Sequence, residues 1–181
     1  MIINVAPLLK ELVGAQVDFH VAEDPIDPHG ENAGLREAGV AAIDSDVLAT
    51  HTNLGAYLEG RADARIERAC SRCLRTFETA VRADFAEQYY ATIGVAHGEP
   101  MGDAPTDAKT IGSDFEIDLT TLLLEELILA TPFAPLHDPD CKGLCEVCGR
   151  DLNDEPHSHE GPTDERWAKL EALNDFHAER D

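Results

Sequence analysis

Leu58 to Phe85 reads LEGRADARIERACSRCLRTFETAVRADF, and this stretch decides the fold. In its first half Leu58, Gly60, Ala62, Ala64 and Ile66 alternate with Glu59, Arg61, Asp63, Arg65 and Glu67. Side chains along a strand point to opposite faces in turn, so this pattern predicts a strand with one wet face and one buried face. After Cys73 the alternation resumes, with Phe77, Thr79, Val81, Ala83 and Phe85 against Glu78, Arg82 and Asp84. Two such runs so close in the chain predict an antiparallel β-hairpin, with Cys70-Ser71-Arg72-Cys73 at its turn.

Outward from the hairpin the signals thin. Val17, Phe19 and Val21 alternate with Gln16, Asp18 and His20, which predicts another half-buried strand. A weaker strand pair is expected over roughly 37–52. Residues 23–36 and 95–114 are rich in Gly, Pro and charge and poor in large apolar side chains, so both read as flexible loops. Asp118 can cap a helix over 119–130, where Leu119, Leu122, Leu123, Leu127 and Ala130 recur at helical spacing and Pro132 ends the run. Thr163 can cap a last short helix carrying Trp167, Leu170 and Leu173. The predicted class is α+β within a single domain over 1–181. It comprises an antiparallel sheet with barrel-like closure as an option, a central helix, and a zinc-tied C-terminal segment. The last of these is a knuckle plus helix at about 138–178.

The tie comes from the cysteines. Cys70 and Cys73 form one C-x-x-C pair, Cys145 and Cys148 a second, and Cys141 is the fifth cysteine of the chain. Two thiolates at this spacing occupy adjacent vertices of a zinc tetrahedron without strain. The expectation is therefore a four-thiolate zinc site made by Cys70, Cys73, Cys145 and Cys148, with Cys141 as the alternative ligand. Four protein ligands leave no position for water, so the site is expected to be structural. Its closure would hold a long loop whose entropy opposes it. His137, His157 and His159 flank the cysteines and could be ligands, although exposed loop histidines are the favoured reading. The competing reading is cysteine-based redox chemistry, which lacks a strand–C-x-x-C–helix setting in this sequence.

Composition narrows the function. The formal net charge is −22 over 181 residues. Binding to nucleic-acid phosphates relies on Lys and Arg to displace counterions, so a charge of this sign favours a basic protein partner. Arg61, Arg65, Arg68, Arg72 and Arg75 gather near the first cysteine pair and are the place where direct RNA contact is possible. Three of them, 61, 65 and 68, also fit the wet face of a strand. The sequence has no basic leader before its first apolar stretch and no apolar run approaching the roughly 20 residues that span a bilayer. A cytoplasmic location and no membrane partner are expected. No nucleophile with a supporting base, phosphate-cradling loop or H-E-x-x-H pattern is present, so neither catalytic residues nor a small-molecule substrate is assigned.

The order of these motifs resembles a known family. Cys70-Ser-Arg-Cys73-Leu74 follows a strand, and Ile117-Asp118-Leu119 opens the leucine-rich helix. Asp138-Pro-Asp-Cys141-Lys-Gly143-Leu144-Cys145-Glu-Val-Cys148-Gly149-Arg-Asp-Leu152-Asn153 completes the set. The chain is similar over about 15–175 to the YceD family, the large ribosomal RNA subunit accumulation proteins of bacteria and plastids. The resemblance implies a non-enzymatic factor supporting 23S ribosomal RNA accumulation or processing and large-subunit biogenesis. Its implied partner is a basic ribosomal protein or an rRNA-processing nuclease, with direct 23S rRNA contact as a further option. The residues that would bind RNA are unknown at this level. The resemblance also points to Cys70, Cys73, Cys141, Cys145 and Cys148 as a group. An acidic, zinc-containing interaction scaffold is the alternative of a different class.

Overall fold

The computed structural model describes residues 1–23, 33–102 and 104–159. In chain order the elements are β1 (Ile2–Asn4), α1 (Ala6–Leu9), β2 (Gln16–Glu23), α2 (Ala33–Glu37), β3 (Val40–Thr52), β4 (Gly55–Ala69), β5 (Thr76–Ala91), β6 (Lys109–Ile111), β7 (Glu116–Asp118) and α3 (Thr120–Ala130). The main sheet has the order β2-β3-β4-β5-β6, and β1 pairs with β7 in a separate two-stranded sheet. All pairings are antiparallel except β5 with β6, which is parallel.

The class is mostly sheet with few helices, and the sheet is open, which corrects the barrel-like option. Closure needs the first and last strands of the order to hydrogen-bond each other. Here β2 and β6 are the two ends of the order, and β6 has only three residues to offer. Segment 37–52 also differs from expectation. Its first residue closes α2 and Val40–Thr52 form one long strand, β3, with a register shift between Val40 and Ala42, because β4 supplies an uninterrupted partner from Ile66 to Gly55.

The hairpin follows the alternation closely. Leu58, Ala62, Ala64 and Ile66 are buried while Glu59, Arg61, Asp63, Arg65 and Glu67 are exposed. Across the ladder Ala62 faces Ala83, and Ala64 faces Val81. The wet face carries two ion pairs between residues directly opposite in the ladder, Arg61–Asp84 and Arg82–Asp63, each at 2.7 Å. Gly60 lets the strands approach: a β-carbon there would collide with the Asp46 carbonyl and lie 2.9 Å from the Phe85 ring. Phe85, directly opposite in the ladder, covers the gap that the glycine leaves.

Leu122, Leu123 and Leu127 of α3 are buried and join one core with Val5 and Leu8 from the N-terminal segment and with the inner face of the sheet. Leu119, not Asp118, stands at the helix N-cap and has no side-chain cap; Asp118, one residue earlier, accepts a hydrogen bond from the Thr120 amide at 2.9 Å. Ser45, a fully buried polar residue, donates its hydroxyl to the Arg61 carbonyl at 3.0 Å. Among the described residues no helix is long and apolar enough to cross a membrane. The expected loop at 23–36 falls largely outside the described residues, and α2 begins at its end. The expected insertion at 95–114 contains β6. The expected helix after Thr163 lies outside the described residues.

Candidate metal centre

The first cysteine pair sits where the hairpin turns. The Cys70 amide donates to the Arg75 carbonyl at 2.9 Å, and the Leu74 amide donates back to the Cys70 carbonyl at 2.9 Å. This tight loop directs the amides of Arg72 and Cys73 at the Cys70 sulfur. The second pair repeats the construction. The Cys145 amide donates to the Arg150 carbonyl and the Gly149 amide to the Cys145 carbonyl, both at 2.8 Å, and the amides of Val147 and Cys148 face the Cys145 sulfur. Even the left-handed residue recurs, with Leu74 at φ 61° and Gly149 at φ 71°, each directly after the second cysteine of its pair.

Electrostatics follow from this geometry. Burial opposes ionisation of Cys70, yet hydrogen bonds from the Cys73 amide, His137 and the Arg72 amide outweigh it and hold the thiol down at about 5. Burial pushes the Cys73 thiol up. The Cys148 amide is the main cause that lowers Cys145, to about 6. Thiols poised toward thiolate suit metal binding, since the thiolate is the ligand.

The structure does not bring Cys70, Cys73, Cys145 and Cys148 into one group. Cys70 and Cys73 gather with His137 and Cys141, and Cys145 and Cys148 gather with His157 and His159. Within each group the ligand atoms all lie within 4.8 Å of one another. In the first group the sulfurs of Cys70 and Cys141 are 3.7 Å apart, and Cys73 Sγ is 3.4 Å from His137 Nδ1. A tetrahedral zinc with Zn–S near 2.3 Å places its sulfurs about 3.8 Å apart, so this donor set fits the ion. In the second group Cys148 Sγ is 3.1 Å from His157 Nε2.

The first group is enclosed. Its three cysteines are buried, and Phe77, Leu136 and Leu144 pack around them. The Phe77 ring meets His137 edge-on at 6.4 Å between centroids. Asn153 donates its amide to Cys141 Sγ at 3.5 Å. The segment from Pro135 to Asp154 is docked on the hairpin tip by the Ser71 amide to the Pro135 carbonyl at 2.9 Å. Arg75 adds contacts to Asp151 at 3.0 Å and Asp154 at 2.8 Å. Cys141, the alternative ligand of the sequence reading, thus stands with the first pair.

The sequence allows the three histidines as ligands while favouring exposed loop positions; the structure places all three beside thiols, with His159 exposed. A signal was available: each C-x-x-C pair has its own second pair of donors, His137-x-x-x-Cys141 for one and His157-x-His159 for the other. Which donors serve which pair depends on tertiary placement, and spacing between the cysteine pairs carries no information about that.

Comparison with known proteins adds identity. Uncharacterized proteins of Mycobacterium bovis and Mycobacterium tuberculosis are each 33% identical over 133 residues, covering 72% of this chain and 61% of the relative. One from Mycobacterium leprae is 29% identical over 134 residues, covering 72% of this chain and 58% of its own length. The chain thus spans about three fifths of the curated relatives it matches. No solved structure matches it significantly. The family model described as large ribosomal RNA subunit accumulation protein YceD matches residues 58–174, a span that takes in the hairpin and both cysteine pairs, and the chain belongs to the YceD family.

Proposed function

We propose that the chain is a non-enzymatic factor supporting 23S ribosomal RNA accumulation or processing and large-subunit biogenesis, acting in the cytoplasm through a basic protein partner. A ribosome-related role in the general sense comes with the family, and that membership is the observation that carries the reading. The partner class is supported by charge. At −22 the chain attracts basic surfaces and repels phosphate. Four of the five arginines near the first cysteine pair are also engaged within the chain. Arg61 pairs with Asp84 at 2.7 Å, Arg68 donates to the Ala38 carbonyl at 2.6 Å, Arg72 to the Cys141 carbonyl at 2.8 Å, and Arg75 to Asp151 and Asp154. Guanidinium groups held this way are less free to meet RNA phosphates, which favours a ribosomal protein or a processing nuclease as the direct contact. Zinc, in this reading, holds the segment after α3 on the hairpin and supplies fold rather than chemistry.

The test is to deplete the protein and measure 23S and 16S RNA with their precursors, with rescue by wild type or by Cys145→Ser. Selective loss of 23S restored by wild type is the expected result. Unchanged 23S at full depletion overturns the reading.

A further inference from the structure

We infer that the chain binds two metal ions, not one: a buried Cys3His centre at Cys70, Cys73, His137 and Cys141, and a separate, solvent-accessible Cys2His2 centre at Cys145, Cys148, His157 and His159. The two C-x-x-C loops are backbone copies. In each, the first cysteine's amide donates to the carbonyl five residues on, and the amide four residues on donates back to the first cysteine, at 2.8–2.9 Å in all four cases. A loop built this way presents two sulfurs to one ion, and each loop has its own closing pair of donors.

The second centre has further marks of a metal site. His157 Nδ1 donates to the Glu155 carbonyl at 2.6 Å, so the other ring nitrogen, Nε2, is left bare and faces Cys148 Sγ at 3.1 Å. A backbone carbonyl that fixes the tautomer and aim of an imidazole is the usual outer support of a ligating histidine. The His159 ring stands edge-on to His157 at 4.9 Å between centroids, which brings a fourth donor to the same point. Soft thiolates with imidazoles in a four-donor set select zinc among the common divalent cations.

The two centres differ in access. Cys70, Cys73 and Cys141 are 0%, 6% and 2% exposed, whereas Cys148 and His159 are exposed. A chelator reaches the second ion directly and reaches the first only when the segment carrying His137 and Cys141 lifts off the hairpin. The second ion is therefore the exchangeable one.

Native mass spectrometry of the untagged full chain, expressed with zinc, is the direct test. Two zinc ions per chain are expected, and a colorimetric chelator should withdraw them in two phases of one ion each. The double variant His157→Ala, His159→Ala should retain one ion, lose the fast phase only, and keep the circular dichroism of the wild type. Because the altered residues lie outside the buried group, loss of fold does not confuse the result. Cys145→Ser serves as a second variant and should likewise leave the slow ion in place. One ion per chain in the wild type, or loss of all metal from Cys145→Ser, is the behaviour of a shared four-thiolate site and overturns the proposal. Two ions retained by the double histidine variant overturns it as well.

Discussion

Arg72 reaches across from the hairpin turn and donates its Nη1 to the Cys141 carbonyl at 2.8 Å, between residues 69 apart in the chain. Its own carbonyl meanwhile accepts the Leu144 amide at 3.2 Å. One residue thus holds the later segment by backbone and side chain together. Arg72→Ala removes the charged donor and leaves the carbonyl without it. The expected cost is about 1.5–3 kcal/mol, the usual worth of a hydrogen bond to a charged group. Urea denaturation of the two proteins measures it, and equal midpoints would refute the role given to Arg72.

Leu74 is a natural experiment in backbone conformation. It adopts φ 61° at the position where the second loop has Gly149, and it is 65% exposed, so its side chain contributes little packing. A left-handed conformation costs a residue with a side chain roughly 1–2 kcal/mol, offset in part by the greater unfolded-state freedom of glycine. Leu74→Gly is expected to stabilise the chain by roughly 0.5–1 kcal/mol. The reverse change, Gly149→Leu, should destabilise the second loop by about 1–2 kcal/mol. Thermal melts of both variants check the pair, and a melting temperature lowered by Leu74→Gly would contradict it.

Removal of metal should act locally. Hydrogen exchange in 133–159 is expected to accelerate after chelation, while β3, β4 and the central part of β5 stay protected by their own ladder and core. Uniform acceleration across the sheet, or none in 133–159, would show that the ligands do not hold this segment down.

His20 supplies a pH dependence away from the cysteines. Its Nδ1 lies 2.9 Å from Asp46 Oδ1, and its Nε2 lies 3.5 Å from Asp44 Oδ2. The hydrogen bond to Asp46 first, and the charge of Asp44 after it, raise its pKa above 6.5. A raised value in the folded state means that the contribution to β2–β3 pairing is fully present below the ordinary value of 6.5 and is lost as pH climbs through the folded value. An NMR titration should place the midpoint above 6.5, and Asp46→Asn should bring it down toward 6.5. A midpoint unmoved by that substitution would contradict the cause named here.

The contrast between what could and could not be read in the sequence has a physical basis. Strand alternation records which face meets the core, and it was legible at β4 and β5 because each buries one face only, and at β2 because Phe19 and Val21 are partly covered while Asp18 and His20 are exposed. The turn at Cys70 was legible for the same reason, being the break between two alternating runs. Openness of the sheet was not, because strand order rests on pairings such as β5 with the short β6, which leaves little pattern in three residues. The division of the cysteines was hidden for a related reason. Spacing within Cys145-Glu-Val-Cys148 reports that two sulfurs converge, but their companions His157 and His159 are chosen by a loop whose path no local pattern records.

The pairing of β1 with β7 sets an order of events during synthesis. Ile2 pairs with Asp118 and Ile3 with Ile117, so β1 has no strand partner until β7 has been made. The β4–β5 hairpin needs only the six residues between Ala69 and Thr76 to turn back on itself, and can close while β7 is still unmade. At ordinary elongation rates β1 waits on the order of 5–20 s, with Ile3 lacking its strand partner and the Val5 amide its Phe115 acceptor throughout. The segment carrying β1 thus stays open to nascent-chain chaperones until β7 emerges, and its docking is the late, slow closure of an otherwise locally assembled fold.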